Sequence, residues 1–194
     1  MVAGSCSRVS TSATPRSRSA LLRTVWLVAV HGLVGVSWLQ RVWQSRTVRE
    51  VPGVVGVGYE GLDVEGFVSR LTDLGVQVLA DVRLTPISRK RGFSKRALAE
   101  AVSGAGVEYL HLRELGNPKD NRPGFAGDDV ALSRARGRYA DLLDVGAADS
   151  ALDRLAVLAG ERRVAVMCFE ADEERCHRHV VLEAVRARLD PVSV

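Results

Sequence analysis

A chain of 194 residues, 46% apolar and 26% charged, is long enough for one domain with a substantial core and has an ordinary globular composition. Its three cysteines, Cys6, Cys168 and Cys176, exclude a disulfide framework, and the odd count fits a reducing cytoplasm. The net charge of +4 and pI near 9.3 suggest a nucleic-acid partner, but the charge is uneven. Residues 1–51 hold seven arginines and one acid, leaving 20 basic and 22 acidic residues for the rest. The basicity therefore belongs to the N-terminal arm and not to the expected domain.

Residues 1–20 are rich in Ser, Arg and Ala without a hydrophobic period and read as disordered. The stretch 25–39 is mostly apolar, with Arg16, Arg18 and Arg23 before it and Arg41 and Arg46 after it. It is shorter than the ~20 residues a spanning helix needs, arginines flank both sides, and no small-x-small cleavage site follows. The arm, residues 1–51, thus reads as a weakly apolar appendage or the product of a misplaced start. A membrane anchor through residues 25–39 is the alternative.

From Pro52 the pattern becomes regular, and residues 52–194 read as one domain expected in the cytoplasm. Val54–Val57 predicts a strand ending in Gly58-Tyr59-Glu60-Gly61. Asp63 can cap a helix whose apolar positions Val64, Phe67, Val68, Leu71 and Leu74 follow helical spacing up to Gly75. Val76–Val82 is a second strand, followed by a basic loop from Arg83 to Phe93 and a helix capped by Ser94. Val107–Leu112 is a third strand, and Arg113–Asp128 a polar loop with turn signals at Gly116-Asn-Pro118 and Pro123-Gly124. Helices are predicted at about Val130–Leu143 and Ala147–Ala159, a fourth strand at 164–169, and a last helix beginning near Cys176. Strands separated by helices predict a three-layer α/β sandwich with a mostly parallel sheet of four or five strands. The strand order is not readable. All carboxyl ends of such a sheet face one edge, so polar residues after each strand would collect there.

Several motifs recur in a known order: Gly58-Tyr-Glu-Gly61, Asp81-Val-Arg83, Pro86 with Gly92-Phe-Ser94, Tyr109-Leu-His-Leu112 with Glu114-Leu-Gly116, Cys168-Phe-Glu170 and Cys176-His-Arg178. Over roughly residues 53–190 this set resembles the bacterial domain of unknown function 488 family. The resemblance implies no particular reaction, cofactor or partner.

The stretch Val164–His179 is the densest in chemistry: an apolar strand, then four carboxylates (Glu170, Asp172, Glu173, Glu174), then Cys176-His177-Arg178. A thiol beyond a strand's end suggests nucleophilic chemistry on an anion. However, six residues separate Cys168 from Arg175 where phosphatase loops have five, and the intervening acids would repel an anion. Cys168 therefore reads as a buried small hydrophobe. Cys176 is the better candidate nucleophile, although adjacent helical residues point about 100° apart and it need not touch His177.

Glu60, Glu170 and His111 are candidate acid/base residues, with Asp81 joining the glutamates if their strands are neighbours. Arg83, His177 and Arg178 are candidate anion ligands; the alternative is that the arginines neutralise nearby acids internally. No Cys-x₂-Cys or His-Glu-x-x-His spacing unites His111, Cys168, Cys176, His177 and His179, so no metal is assigned and the cofactor is left unknown.

Two functions follow as expectations. One is an enzyme acting on a small phosphate-bearing or nucleotide-like substrate at the carboxyl edge. The other is a nucleic-acid-associated module using Arg89, Lys90, Arg91, Lys95 and Arg96 of the basic loop.

Overall fold

The computed structural model of the chain describes residues 51–190. The expectations for the N-terminal arm, with Cys6 and the apolar stretch 25–39, lie outside the described residues. Elements follow in the order β1 (Gly53–Gly58), α1 (Val64–Asp73), β2 (Val78–Asp81), α2 (Lys95–Ser103), β3 (Glu108–His111), a 3₁₀ turn (Arg113–Leu115), α3 (Arg122–Phe125), α4 (Asp129–Leu143), α5 (Gly146–Glu161), β4 (Arg163–Cys168) and α6 (Arg178–Leu189). Among the described residues no helix is long and apolar enough to cross a membrane.

Four strands form one all-parallel sheet in the order β1-β4-β2-β3. The last strand in sequence thus lies between the first two, buried on both faces. Val164, Val166 and Cys168 pack with α4, α5 and α6, whereas Ala165 and Met167 pack with α1 and α2 on the other face. Period-two alternation in a continuous apolar run serves two cores at once, which is why this strand has no polar position after Arg163. Burying each of Leu152, Leu155, Val181 and Val185, all fully buried, contributes about 1.5–3 kcal/mol.

Local chemistry sets the element ends. The Asp63 side chain accepts from Gly66 N at 2.8 Å and opens α1; Asp128 does the same for Ala131 N at 2.8 Å and opens α4. Gly75 closes α1 at φ +66°, a left-handed conformation that glycine adopts without a Cβ clash.

Two differences from the sequence pattern matter for the site. The polar loop 113–128 contains the 3₁₀ turn and α3, whose Pro123 sits in its first turn, where the missing N–H costs nothing. Helix α6 starts at Arg178 with His177 as its N-cap, so Cys176 lies before the helix rather than in it.

Parallel register aligns the carboxyl ends. Gly58 stands opposite Cys168, Asp81 opposite Met167, and Asp81 opposite His111.

Candidate active site

The chain leaving β4 is fastened from three directions. Tyr59 N and Glu60 N both donate to Phe169 O, at 3.1 and 2.9 Å. Glu60 Oε2 accepts from Ala171 N at 3.0 Å. Arg178, 1% exposed, donates from Nη1 to Glu170 O and from Nη2 to Ala171 O. Gly58 makes this approach sterically feasible: a Cβ there would stand 1.9 Å from Glu170 O, a backbone atom with no room to retreat. The loop is therefore held at the place where β1 and β4 end.

This bracing shapes a cleft of about 280 Å³ lined by residues from the β1, β2 and β4 ends, the 117–125 segment and the start of α6. Its floor holds Cys168, Cys176, His177 and Glu170. Cys176 Sγ lies 3.1 Å from Glu170 Oε2. His177 Nδ1 lies 3.7 Å from Cys168 Sγ and 3.8 Å from Cys176 Sγ. The other ring nitrogen, Nε2, faces Val82 O at 3.1 Å; a carbonyl only accepts, so Nε2 carries a proton while Nδ1 faces the two sulfurs. The Tyr139 ring meets the imidazole edge-on at 5.3 Å, while its hydroxyl donates to Leu115 O at 2.5 Å.

The floor's protons are unevenly held. The Cys168 thiol, hydrogen-bonded to Cys176 and buried, is pushed well above the ordinary thiol range. Cys176 is pulled below that range, first by the bond from Cys168 and then, against burial, by His177; the Glu170 charge opposes this. Burial raises Glu170, but its bond with Cys176 and further hydrogen bonds bring it below the ordinary carboxylate value.

Around the rim stand Arg122 and Arg175, with Ile87 and Phe169 as exposed apolar surfaces. Arg122 donates from Nε to Asn117 O at 3.2 Å; Arg175 donates from Nη1 to Gly127 O at 2.6 Å and reaches Asp129 at 3.4 Å. Each guanidinium retains N–H donors beyond these bonds.

The residues singled out from sequence fall into separate groups. Cys176, His177 and Glu170 meet on the cleft floor together with Cys168, which sequence reading treated as packing. Arg83 lines the cleft but forms a two-pronged pair with Asp81, Nε–Oδ1 at 2.9 Å and Nη2–Oδ2 at 2.6 Å. Its Nη1 bonds Tyr59 Oη and Phe93 O. Burial works against its charge, yet Asp81 and Tyr59 raise its pKa further.

Asp81 also accepts from Tyr109 Oη at 2.6 Å and, unlike Glu170, is not among the cleft-lining residues. Glu60 and Arg178 hold the loop and are not among the cleft-lining side chains. His111 sits on the edge strand, with Nε2 at 3.0 Å from Arg83 O and Nδ1 at 3.3 Å from Lys95 Nζ. His179 lies between Glu174 and Glu183, at 3.4 and 3.3 Å.

Part of the basic loop is already engaged: Lys90 donates to the carbonyl Tyr59 O at 3.2 Å and Arg96 pairs with Glu100 at 2.9 Å. Arg89 and Arg91 are exposed.

Sequence reading missed Arg122, Arg175 and Phe169 as cleft residues. Arg122 lies between two turn signals in a loop expected to be plain polar connection, and the only local signal for Arg175 was a thiol-to-arginine spacing one residue too long. A family model described as domain of unknown function DUF488 matches residues 63–185. No curated protein and no solved structure matches the chain.

Proposed function

This chain belongs to the DUF488 family of unknown function, and we propose that it is an enzyme acting on a small anionic, nucleotide-like molecule held in the cleft at the sheet's carboxyl edge. The observation that carries this reading is the convergence of Cys168, Cys176, His177 and Glu170 on the floor of a cleft whose rim presents Arg122 and Arg175. Reactive groups that are buried yet face a concave site are costly to desolvate, and they gain most where they act on a ligand. The rim arginines supply forked donors to a phosphate or carboxylate. The exposed faces of Phe169, 42% exposed, and Ile87, 82% exposed, offer an apolar surface to the remainder of the molecule. A space of about 280 Å³ suits one small molecule better than a polymer segment. A cytoplasmic location belongs to the same reading, because Cys168 and Cys176 stand as free thiols, as a reducing compartment keeps them.

The test is calorimetric titration of the full chain with a panel of phosphate monoesters and nucleoside monophosphates, with product analysis of each binder. At least one member is expected to bind and turn over. Arg175→Ala should weaken its binding about tenfold, the loss of one charge-assisted hydrogen bond. The reading fails if no small anion binds while an oligonucleotide does, with steep salt dependence lost in the Arg89→Ala/Arg91→Ala variant. That outcome would move the function to the basic loop.

A further inference from the structure

Three donors on the cleft floor are arranged around a common centre. The Sγ atoms of Cys168 and Cys176 and a ring nitrogen of His177 all lie within 4.8 Å of one another, and all three residues are buried. His177 Nδ1 is nearly equidistant from the sulfurs, at 3.7 and 3.8 Å. This spacing fits a single ion held between the three donors. With metal–sulfur bonds of about 2.3 Å and metal–nitrogen bonds of about 2.0–2.1 Å, a tetrahedral centre sets S···N separations at roughly 3.6 Å. The imidazole is also prepared for such a role. Its Nε2 proton is fixed on Val82 O at 3.1 Å, the outer contact that orients a metal-binding histidine and frees Nδ1 as the ligand.

We propose that Cys168, Cys176 and His177 bind one zinc ion whose remaining coordination position opens into the cleft. Two thiolates and an imidazole select a soft or borderline ion over magnesium or calcium. A divalent ion offsets the charge of two thiolates, which a buried floor beside the Glu170 carboxylate could not otherwise hold. The open position follows from lining: all three donors face the cleft, and Glu170, beside Cys176 at 3.1 Å, stands outside the three-donor group. Three protein ligands with a place left for water or substrate mark a catalytic rather than a closed structural centre. The inference concerns the same cleft and rests on the reading above for what the ion would meet there.

The ligands escape local motif searches because they come from two elements. Cys168 ends β4, and Cys176 and His177 precede α6, with a braced loop between them. Their relative placement is a property of the loop fold and not of a short fixed spacing.

The experiment is elemental analysis of the full chain, purified without chelator after growth with added zinc, paired with cobalt substitution of the same protein. About one zinc per chain is expected, with a near-ultraviolet sulfur-to-cobalt band in the cobalt form. Cys168→Ser, Cys176→Ser and His177→Gln should each lower zinc affinity at least about a hundredfold in competition with a chromophoric chelator, since even outer contacts are worth 10–100-fold. Where a cysteine variant fails to fold, the unmodified chain decides the matter by its metal content and cobalt spectrum. A metal-free protein that gives no cobalt–sulfur band, or one whose two cysteines close into a disulfide and leave zinc unbound, overturns the proposal. Arg175→Ala separates the two readings, because it should keep zinc while losing anion affinity. Zinc without any small-anion binding leaves this inference standing and removes the substrate reading; anion binding without zinc does the reverse.

Discussion

Replacing Arg83 with methionine tests whether this arginine serves the fold or the ligand. Arg83 is 7% exposed and its partner Asp81 is 0% exposed. The substitution removes both prongs to Asp81 and the bonds to Tyr59 Oη and Phe93 O. Asp81 keeps Tyr109 Oη and the Arg83 backbone N–H, at 2.6 and 3.0 Å, but its charge is left without a cation. Breaking a buried pair from one side costs about 3–5 kcal/mol. At roughly 2–4 °C per kcal/mol for a chain of this size, the thermal midpoint should fall by about 6–20 °C. Asp81→Asn combined with Arg83→Met removes the stranded charge, and the double variant should recover part of the loss, with a coupling energy of about 1–3 kcal/mol. The assay is urea and thermal unfolding of the four proteins of the cycle, followed by anion titration of those that fold. A single variant that loses less than about 1 kcal/mol, yet no longer binds the small anion, would refute the assignment and make Arg83 a ligand.

Gly58→Ala should displace the 169–171 segment, because the new Cβ would lie 1.9 Å from Glu170 O; unfolding measurements should show a loss of about 1–3 kcal/mol, the usual cost of overpacking, together with weakened anion binding. Glu60→Gln retains an acceptor for Ala171 N and should leave ligand affinity within about twofold, whereas Glu60→Ala should cost about 0.5–1.5 kcal/mol of stability. Burial raises the pKa of Tyr109, helped by Asp81, and that of Tyr139. A phenol whose folded pKa exceeds its unfolded value near 10 stabilises fully below that value and loses its contribution as pH climbs toward the folded one. In an alkaline titration, phenolate absorbance from these two of the three tyrosines should therefore appear together with the loss of circular dichroism above about pH 10, and its appearance while the fold is intact would contradict their burial.

The fold was legible in the sequence because burial periodicity is a local signal. Val164–Cys168 reads as a strand covered on both faces, and both cores confirm it through Val164, Val166 and Cys168 on one side and Ala165 and Met167 on the other. The Asp63 and Asp128 caps were equally local, though Asp128 was read as the end of a loop. Strand order was not legible: inserting β4 between β1 and β2 depends on how whole layers pack. That order decides the site, since it brings Gly58 beside Cys168 and lets β1 hold the loop that carries Glu170.

Side-chain roles within the site were harder to read, and the arginines show why. Arg83, Arg122, Arg175 and Arg178 carry the same charge and all stand near strand ends or turns, so composition treats them alike. Arg178 spends its donors on the carbonyls of Glu170 and Ala171, and Arg83 on a buried carboxylate and a carbonyl. Arg122 and Arg175 each place one nitrogen on a carbonyl at the cleft rim and keep other donors for a ligand. A guanidinium has five N–H donors, and its role follows from how many the surrounding backbone has already taken. The loop after β4 carries Arg175 to the rim and Cys176 and His177 to the floor beside Cys168, so one segment serves both the anion rim and the three-donor floor. Gly58→Ala, which displaces this loop at Glu170, should impair anion binding and zinc binding together. Arg175→Ala should impair only the first.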